Sequence, residues 1–154
     1  MDDRGDRKKV RAVKHRELGN LLRISRCFDS YRRQQLRDAD IYPALLSFVS
    51  NICRFPGSTQ DALAERLCVD KTTVAHHLSR LEDKGYVERR VSPEDARYRL
   101  VYPTQKALAL SPRLSETYAA FYEGLLADLS PEDRETIERL SEVLCANAKK
   151  MIRP

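Results

Sequence analysis

Hydrophobic residues recur at helical spacing towards both ends of this 154-residue chain. Over residues 10–37 the pattern predicts a long amphipathic helix whose polar positions are largely Arg and Lys. Near the other end, Ser130-Pro-Glu-Asp133 is typical of a helix start, with a capping serine, a proline at the first helical position and acids in the first turn. The apolar stripe of the helix that follows consists of Ile137, Leu140, Leu144, Ala148 and Met151.

A nearly all-apolar segment, residues 42–53, is predicted to form a second helix that lies in the core. Pro56 and Gly57 then favour a turn. The sequence Ser58-Thr-Gln-Asp61 is a capping sequence, because an oxygen side chain there can accept from the free backbone N–H groups of a helix start. It predicts a third helix over residues 59–67.

A fourth helix is predicted over residues 71–84, with Asp70 as its cap and Gly85 after its last turn. Its buried stripe begins at Val74 and continues at i+4 and i+7. The third and fourth helices, separated by a three-residue turn, form a helix-turn-helix unit. The opposite face of the fourth helix presents Thr72, Thr73, His76, Ser79 and Arg80.

The hydrophobic period then changes from 3.6 to 2, which is typical of strands. Residues 86–91 and 97–102 are predicted to pair as a hairpin, or wing. Alternation in the second strand predicts one side that faces the core and a basic side, with Arg97, Arg99 and Val101, that faces a partner. The core-facing side is predicted to consist of Tyr98, Leu100 and Tyr102.

The fold class predicted is mainly α with a small β-hairpin wing. Thr104 is placed to cap a fifth helix through residues 114–126, interrupted or kinked at Ser111-Pro112. The apolar stripes of the two terminal helices lack an obvious partner in so small a domain, so two copies are expected to pack through them. The expected organisation is an N-terminal dimerisation helix (1–37), a winged helix-turn-helix DNA-binding domain (38–106) and C-terminal dimerisation helices (107–154).

Charge is distributed unevenly along the chain, whose net charge is +5. Residues 1–37 contain 12 basic against 5 acidic side chains, and residues 107–154 contain 6 against 8. A basic excess is compatible with a polyanionic partner. No apolar run approaches the roughly 20 residues of a membrane span, so we expect a cytoplasmic protein with no membrane partner.

Four cysteines occur without a CxxC pair, and we expect them to be small buried hydrophobes. We therefore expect no metal site and no cofactor. With only five glycines the chain has no glycine-rich phosphate loop, and no nucleophile–base arrangement stands at a telling spacing. These observations argue against an enzyme.

Four segments together resemble the multiple-antibiotic-resistance regulator (MarR) family of winged helix-turn-helix transcription regulators. The resemblance implies a homodimer that binds pseudo-palindromic operators in double-stranded DNA, most often as a repressor relieved by a ligand or an oxidant. The segments, in the family's order and spacing, are Thr59-Gln-Asp-Ala-Leu-Ala-Glu-Arg-Leu67, Val69-Asp-Lys-Thr-Thr-Val74, Leu81-Glu-Asp-Lys-Gly-Tyr-Val-Glu-Arg-Arg90 and Ser92-Pro-Glu-Asp-Ala-Arg97.

The resemblance also implies which residues contact DNA. The fourth helix is similar to the family's recognition helix in the major groove, and Asp95 and Arg97 match the family's wing, where the acid holds the turn and the arginine reaches the minor groove. A solvated helix face and a surface ion pair are the structural alternatives. His77 is expected to be half-buried and hydrogen-bonded. The predicted DNA-binding residues are Thr59, Gln60, Lys71, Thr72, Thr73, His76, Arg80, Asp95, Arg97 and Arg99.

A small aromatic or apolar effector is implied as a second partner. Its predicted pocket is lined by Tyr31, Phe48, Tyr118 and Phe121, although aromatic residues at helical spacing are more often plain core. One alternative is a redox regulator that switches through Cys27. The other is a winged-helix module whose partner is a protein.

Overall fold

A computed structural model describes residues 16–152, as six helices and one two-stranded sheet. The chain divides into two compact units, with the boundary between Ala39 and Asp40. None of the helices in the described part is long and apolar enough to cross a membrane. The elements are α1 (Arg16–Gln35), α2 (Pro43–Arg54), α3 (Gln60–Leu67), α4 (Lys71–Asp83), β1 (Val87–Val91), β2 (Arg99–Pro103), α5 (Gln105–Leu125) and α6 (Pro131–Ile152).

The first unit contains helix α1, which confirms the predicted amphipathic helix from residue 16 onward; residues 10–15 of that prediction lie outside the described part. Near its C-terminal end, the Arg32 guanidinium pairs with the Asp29 carboxylate and lies over the Phe28 ring, 4.5 Å from the centroid. Leu18 and Leu22 are more than half exposed. The helix therefore carries apolar surface that its own unit leaves open to water.

The second unit has its core where α2, α4, α5 and the hairpin meet. The stripe predicted for α4 is confirmed, because Val74, Leu78 and Leu81 have no exposed surface. Leu45 and Ile52 of α2 are buried to the same degree. Burial of an aliphatic side chain of this size contributes about 1.5–3 kcal/mol. This core holds α3 and α4 in their helix-turn-helix arrangement.

Four of the helices begin at an oxygen side chain that accepts a backbone N–H. The acceptor that begins α3 is Thr59, not Ser58 as the Ser-x-x-Asp pattern suggested. Ser58 is buried and pairs with Val101, whose N–H donates to the Ser58 carbonyl at 2.9 Å. The four caps and their distances are Thr59 to Ala62 N (3.2 Å), Asp70 to Thr73 N (2.8 Å), Thr104 to Ala107 N (3.5 Å) and Ser130 to Asp133 N (3.1 Å).

The turn between α3 and α4 contains Cys68 in a left-handed conformation, with φ of 54°. A side chain in that region is strained, and glycine is the residue that usually takes it. Gly85, with φ of 73°, does so after α4, as predicted. The two turns set the direction of the chain on either side of α4.

The wing is an antiparallel hairpin in which Arg89 of β1 pairs with Val101 of β2. The predicted core-facing side is wrong: Val101 has no exposed surface, whereas Tyr98 is 52% exposed and Leu100 is half-buried. The reason is that Val101 lies at the base of the hairpin, between β1 and Ser58, where the core covers it. Tyr98 precedes β2 at the far end of the hairpin.

Helix α5 runs through Pro112 without a break, so an interruption at Ser111-Pro112 is wrong. A proline inside a helix removes one backbone hydrogen bond. Here the neighbouring turns are secured by burial of Leu110 and Leu114. Helix α6 has no buried residue; Leu140 and Leu144 of its predicted stripe are 44% and 55% exposed.

The cysteines were expected to be buried, and this is wrong for three of the four. Cys27, Cys68 and Cys145 are exposed, and Cys53 is half-buried. Cys68 stands in a surface turn and Cys145 on a helix without buried residues, so helical surroundings did not imply a core position. Burial raises the pKa of the Cys53 thiol.

Candidate nucleic-acid interface

Helix α4 presents Lys71, Thr72, His76 and Arg80 as exposed side chains on the face opposite its buried stripe. Thr73 differs from them, because its Oγ1 donates to Asp70 Oδ2 at 2.8 Å and its side chain is half-buried. The hydrogen bonds from Thr73, first from its backbone N–H and then from its hydroxyl, lower the pKa of Asp70. Thr73 therefore takes part in the cap of α4.

His77 lies beside the core, as predicted, and is half-buried. Its ring meets Phe48 edge-on, with 4.9 Å between centroids, and Tyr42 at 6.2 Å. The expected hydrogen bond is not observed at Nδ1, which is buried and has no partner within residues 16–152. Desolvation, followed by repulsion from His76 and Arg80, lowers the pKa of His77. The ring is held by packing.

The wing turn is organised by Asp95. Its carboxylate accepts from Arg97 Nε at 3.0 Å, from Arg97 Nη2 at 2.7 Å and from the Arg97 backbone N–H at 3.0 Å. The Asp95 carbonyl accepts the Tyr98 N–H, and the Tyr98 carbonyl accepts the Ser92 N–H. The hydrogen bonds from Arg97, first from its side chain and then from its backbone N–H, lower the pKa of Asp95. The turn thus orients Arg97 while its side chain stays 86% exposed.

A cleft of about 270 Å³ brings the wing next to the start of α3. Free backbone N–H groups and the dipole at a helix N-terminus favour an anion, and the guanidinium groups of Arg97 and Arg99 add formal positive charge. Asp61 also lines the cleft, and its carboxylate is paired with Lys71 Nζ at 2.9 Å. Residues that are far apart in the sequence thus share one surface. The lining residues are Thr59, Gln60, Asp61, Arg97, Tyr98 and Arg99.

One residue that contacts the outer face of α4 was not predicted from the sequence. The apolar pattern places Tyr42 in the buried second helix, but Tyr42 caps that helix from outside and is 38% exposed. Its hydroxyl oxygen accepts from Arg80 Nη1 at 3.1 Å, and the guanidinium carbon lies 5.6 Å from the ring centroid. Pro43 is the feature of the sequence that could have placed Tyr42 outside the helix, because a proline at the first helical position leaves the preceding residue outside it.

The four aromatic residues predicted for an effector pocket have different surroundings. Phe48 is buried against His77. Tyr118 and Phe121 are half-buried on α5. Tyr31 is half-buried and belongs to the first unit. The pocket itself stays a prediction.

Comparison with known proteins places the chain among transcriptional regulators. The model of the MarR family matches residues 41–98. The proposed transcriptional regulatory protein for the hcr operon of Thauera aromatica is 30% identical over 143 residues, which cover 82% of this chain and 86% of that protein. The uncharacterized HTH-type transcriptional regulator YwoH of Bacillus subtilis is 32% identical over 107 residues, which cover 70% of this chain and 77% of that protein.

Solved structures agree in fold. The reduced form of MarR from E. coli has a TM-score of 0.67 at 28% identity and covers 82% of this chain and 95% of that one. FabT of Streptococcus pneumoniae, solved in complex with DNA, has a TM-score of 0.71 at 22% identity, and the match covers 94% of this chain and 98% of that one. At 22% identity the likeness concerns the fold alone.

The winged helix-turn-helix fold, together with these regulatory relatives, defines a transcriptional regulator. More narrowly, the chain belongs to the MarR family, which confirms the resemblance found in its sequence.

Proposed function

We propose that this protein binds double-stranded DNA as a homodimer, reads a pseudo-palindromic operator and represses transcription until a small aromatic or apolar molecule binds. The observation that carries the proposal is the cleft in which the wing arginines lie beside the start of α3, and which the Lys71–Asp61 ion pair connects to the start of α4. A helix of this kind fits the major groove, about 12 Å wide. We propose that the wing arginines reach the phosphates that border the adjacent minor groove, where narrow A·T-rich stretches concentrate negative potential.

Within this proposal, Lys71, Thr72, His76 and Arg80 meet base edges or phosphates. Thr73 contributes by holding the first turn of α4. Gln60 and the backbone at the start of α3 share a phosphate with Arg97 and Arg99, and Thr59 caps that helix.

The test is selection of bound fragments from a random duplex library, followed by fluorescence anisotropy with the enriched duplex and a shuffled duplex of the same composition. We expect enrichment of an inverted repeat and a preference of at least about 1,000-fold, the lower end for specific regulators. Equal affinity for both duplexes, at low as well as moderate salt, would contradict the proposal. An Arg139→Ala variant, which changes an exposed arginine of α6, serves as the control and should bind the enriched duplex like the wild-type protein.

Dimerisation is supported by apolar surface that the single chain leaves exposed. Leu18, Leu21 and Leu22 of α1 and Leu140 and Leu144 of α6 are 44–56% exposed, and soluble monomers rarely display such rows. Sedimentation at low micromolar concentration is expected to give twice the 17.8 kDa mass of the chain. A species at 17.8 kDa alone rules out the dimer.

The effector is proposed to bind within the second unit, at the aromatic residues Phe48, Tyr118 and Phe121. The partial exposure of Tyr118 and Phe121 supports this, because aromatic surface that is reachable from solvent can receive a planar ligand. A panel of aromatic acids is screened for release of the selected duplex. A hit should lose its effect on Phe121→Leu and keep it on Arg139→Ala.

A further inference from the structure

The outer face of α4 contains one arginine that is oriented by a neutral group. Arg80 Nη1 donates to the Tyr42 hydroxyl at 3.1 Å, and no carboxylate of residues 16–152 stands within ion-pair distance of Arg80. Three arginines of the helix-turn-helix and wing region are instead paired with acids: Arg89 with Glu82, Arg90 with Glu88 and Arg97 with Asp95.

We propose that Tyr42, which lies outside the helix-turn-helix, is a positioning residue for DNA binding that orients Arg80 without neutralising it. The inference rests on the proposed function and deepens it. A guanidinium loses side-chain entropy when it binds a phosphate or a guanine, and a contact already made in the free protein reduces that loss. A carboxylate could orient the group equally well, but it would repel the phosphates.

The position of Tyr42 is itself defined by the fold. It caps α2 in an extended conformation, and its ring meets the His77 ring nearly perpendicularly at 6.2 Å. His77 in turn packs on the buried Phe48. Since Tyr42 makes no side-chain capping hydrogen bond, removal of its hydroxyl leaves the start of α2 unchanged. The chain of rings thus connects the core to the exposed guanidinium.

The test is a double-mutant cycle with Tyr42→Phe and Arg80→Ala, measured by anisotropy with the enriched duplex. Tyr42→Phe keeps the ring and removes the acceptor. We expect it to weaken binding about 3- to 10-fold for each protomer on the DNA, the cost of ordering one long side chain that is no longer held in the free protein, and to have no effect in the Arg80→Ala chain. Equal losses of affinity in both chains would overturn the inference.

Charge is tested with a matched pair of variants. Tyr42→Gln retains an acceptor without charge, whereas Tyr42→Glu offers a carboxylate to Arg80. We expect Tyr42→Glu to bind more weakly than Tyr42→Gln and to show a smaller salt dependence, by about one ion per protomer. Equal affinity and salt dependence of the two variants would contradict the role of neutrality.

Two controls separate the inference from the proposed function. Tyr122→Phe, at an exposed tyrosine of α5, should bind like wild type, and thermal unfolding should be the same for all Phe variants. A wild-type protein that prefers no duplex would refute the proposed function. A wild-type protein that binds, with undiminished affinity in Tyr42→Phe, refutes only the role of Tyr42.

Discussion

The wing ion pair allows a quantitative test of DNA binding. Arg97 is 86% exposed, and its Nε and Nη2 are bound to Asp95, which leaves the outer edge of the guanidinium open. Removal of one phosphate interaction from a duplex complex reduces the slope of log K against log salt by about 0.9. If the protein binds as the proposed dimer, its two wings predict a reduction of about 1.8 for Arg97→Ala. Between about 50 and 200 mM salt, the fall in affinity then becomes about 12-fold smaller.

The same substitution leaves the Asp95 carboxylate unpaired beside the phosphates. Arg97→Ala should therefore bind more weakly than the double variant Asp95→Asn/Arg97→Ala, in which that negative charge is absent. Anisotropy titrations at four salt concentrations, with the selected and the shuffled duplex, measure both effects. An unchanged slope in Arg97→Ala would refute the wing contact, as would identical affinities of the single and double variants.

Three further predictions concern stability. Val101→Ala should lower the free energy of unfolding in urea by about 2 kcal/mol, whereas Tyr98→Ala should change it by less than about 0.5 kcal/mol, because only Val101 is buried. Decreases of similar size in the two variants would instead favour Tyr98 as a core-facing residue of the wing. The hydrogen bond from Arg89 holds the pKa of Glu82 below its usual 4.5, so the stabilising contribution of this pair is present above about pH 4.5 and is lost as the pH falls through the lowered value. Glu82→Gln should therefore make the free energy of unfolding depend less on pH between about pH 5 and 3, and an unchanged pH dependence in that range contradicts this. Burial holds the pKa of His77 below 6.5, so protonation of His77 costs stability as the pH falls below that value. His77→Phe should show a smaller drop in Tm from about pH 7.5 to 5.5 than wild type. Equal drops in Tm for the two proteins would exclude His77 as the cause.

Local features of the fold were predictable because their causes are local. Val74, Leu78 and Leu81 were assigned to the core from spacing alone, since a helix places i, i+4 and i+7 on one face. Capping by Asp70 depends on an oxygen and a backbone N–H three residues apart. Gly85 follows from the cost of a left-handed backbone.

Candidate site residues were predictable in part. The wing pair of Asp95 and Arg97 was expected from adjacency and family pattern, and the structure contains it. Thr73 was assigned to the DNA-facing set, although its hydroxyl is engaged in the cap. Tyr42 was overlooked, because an apolar stretch was assigned to the core as one block.

Sequence by itself determined the period of the helices, the cap of α4 at Asp70 and its end at Gly85, the basic face of α4 and membership in the family, because each depends on residues a few positions apart. Tertiary structure decided which side of the wing is buried, which cysteines are exposed and which group holds Arg80. These depend on contacts between segments, such as Val101 with Ser58 and Arg80 with Tyr42, 38 positions apart in the chain. No local pattern specifies such contacts, since the same alternation of side chains allows either face of a hairpin to pack inward until the rest of the core covers one.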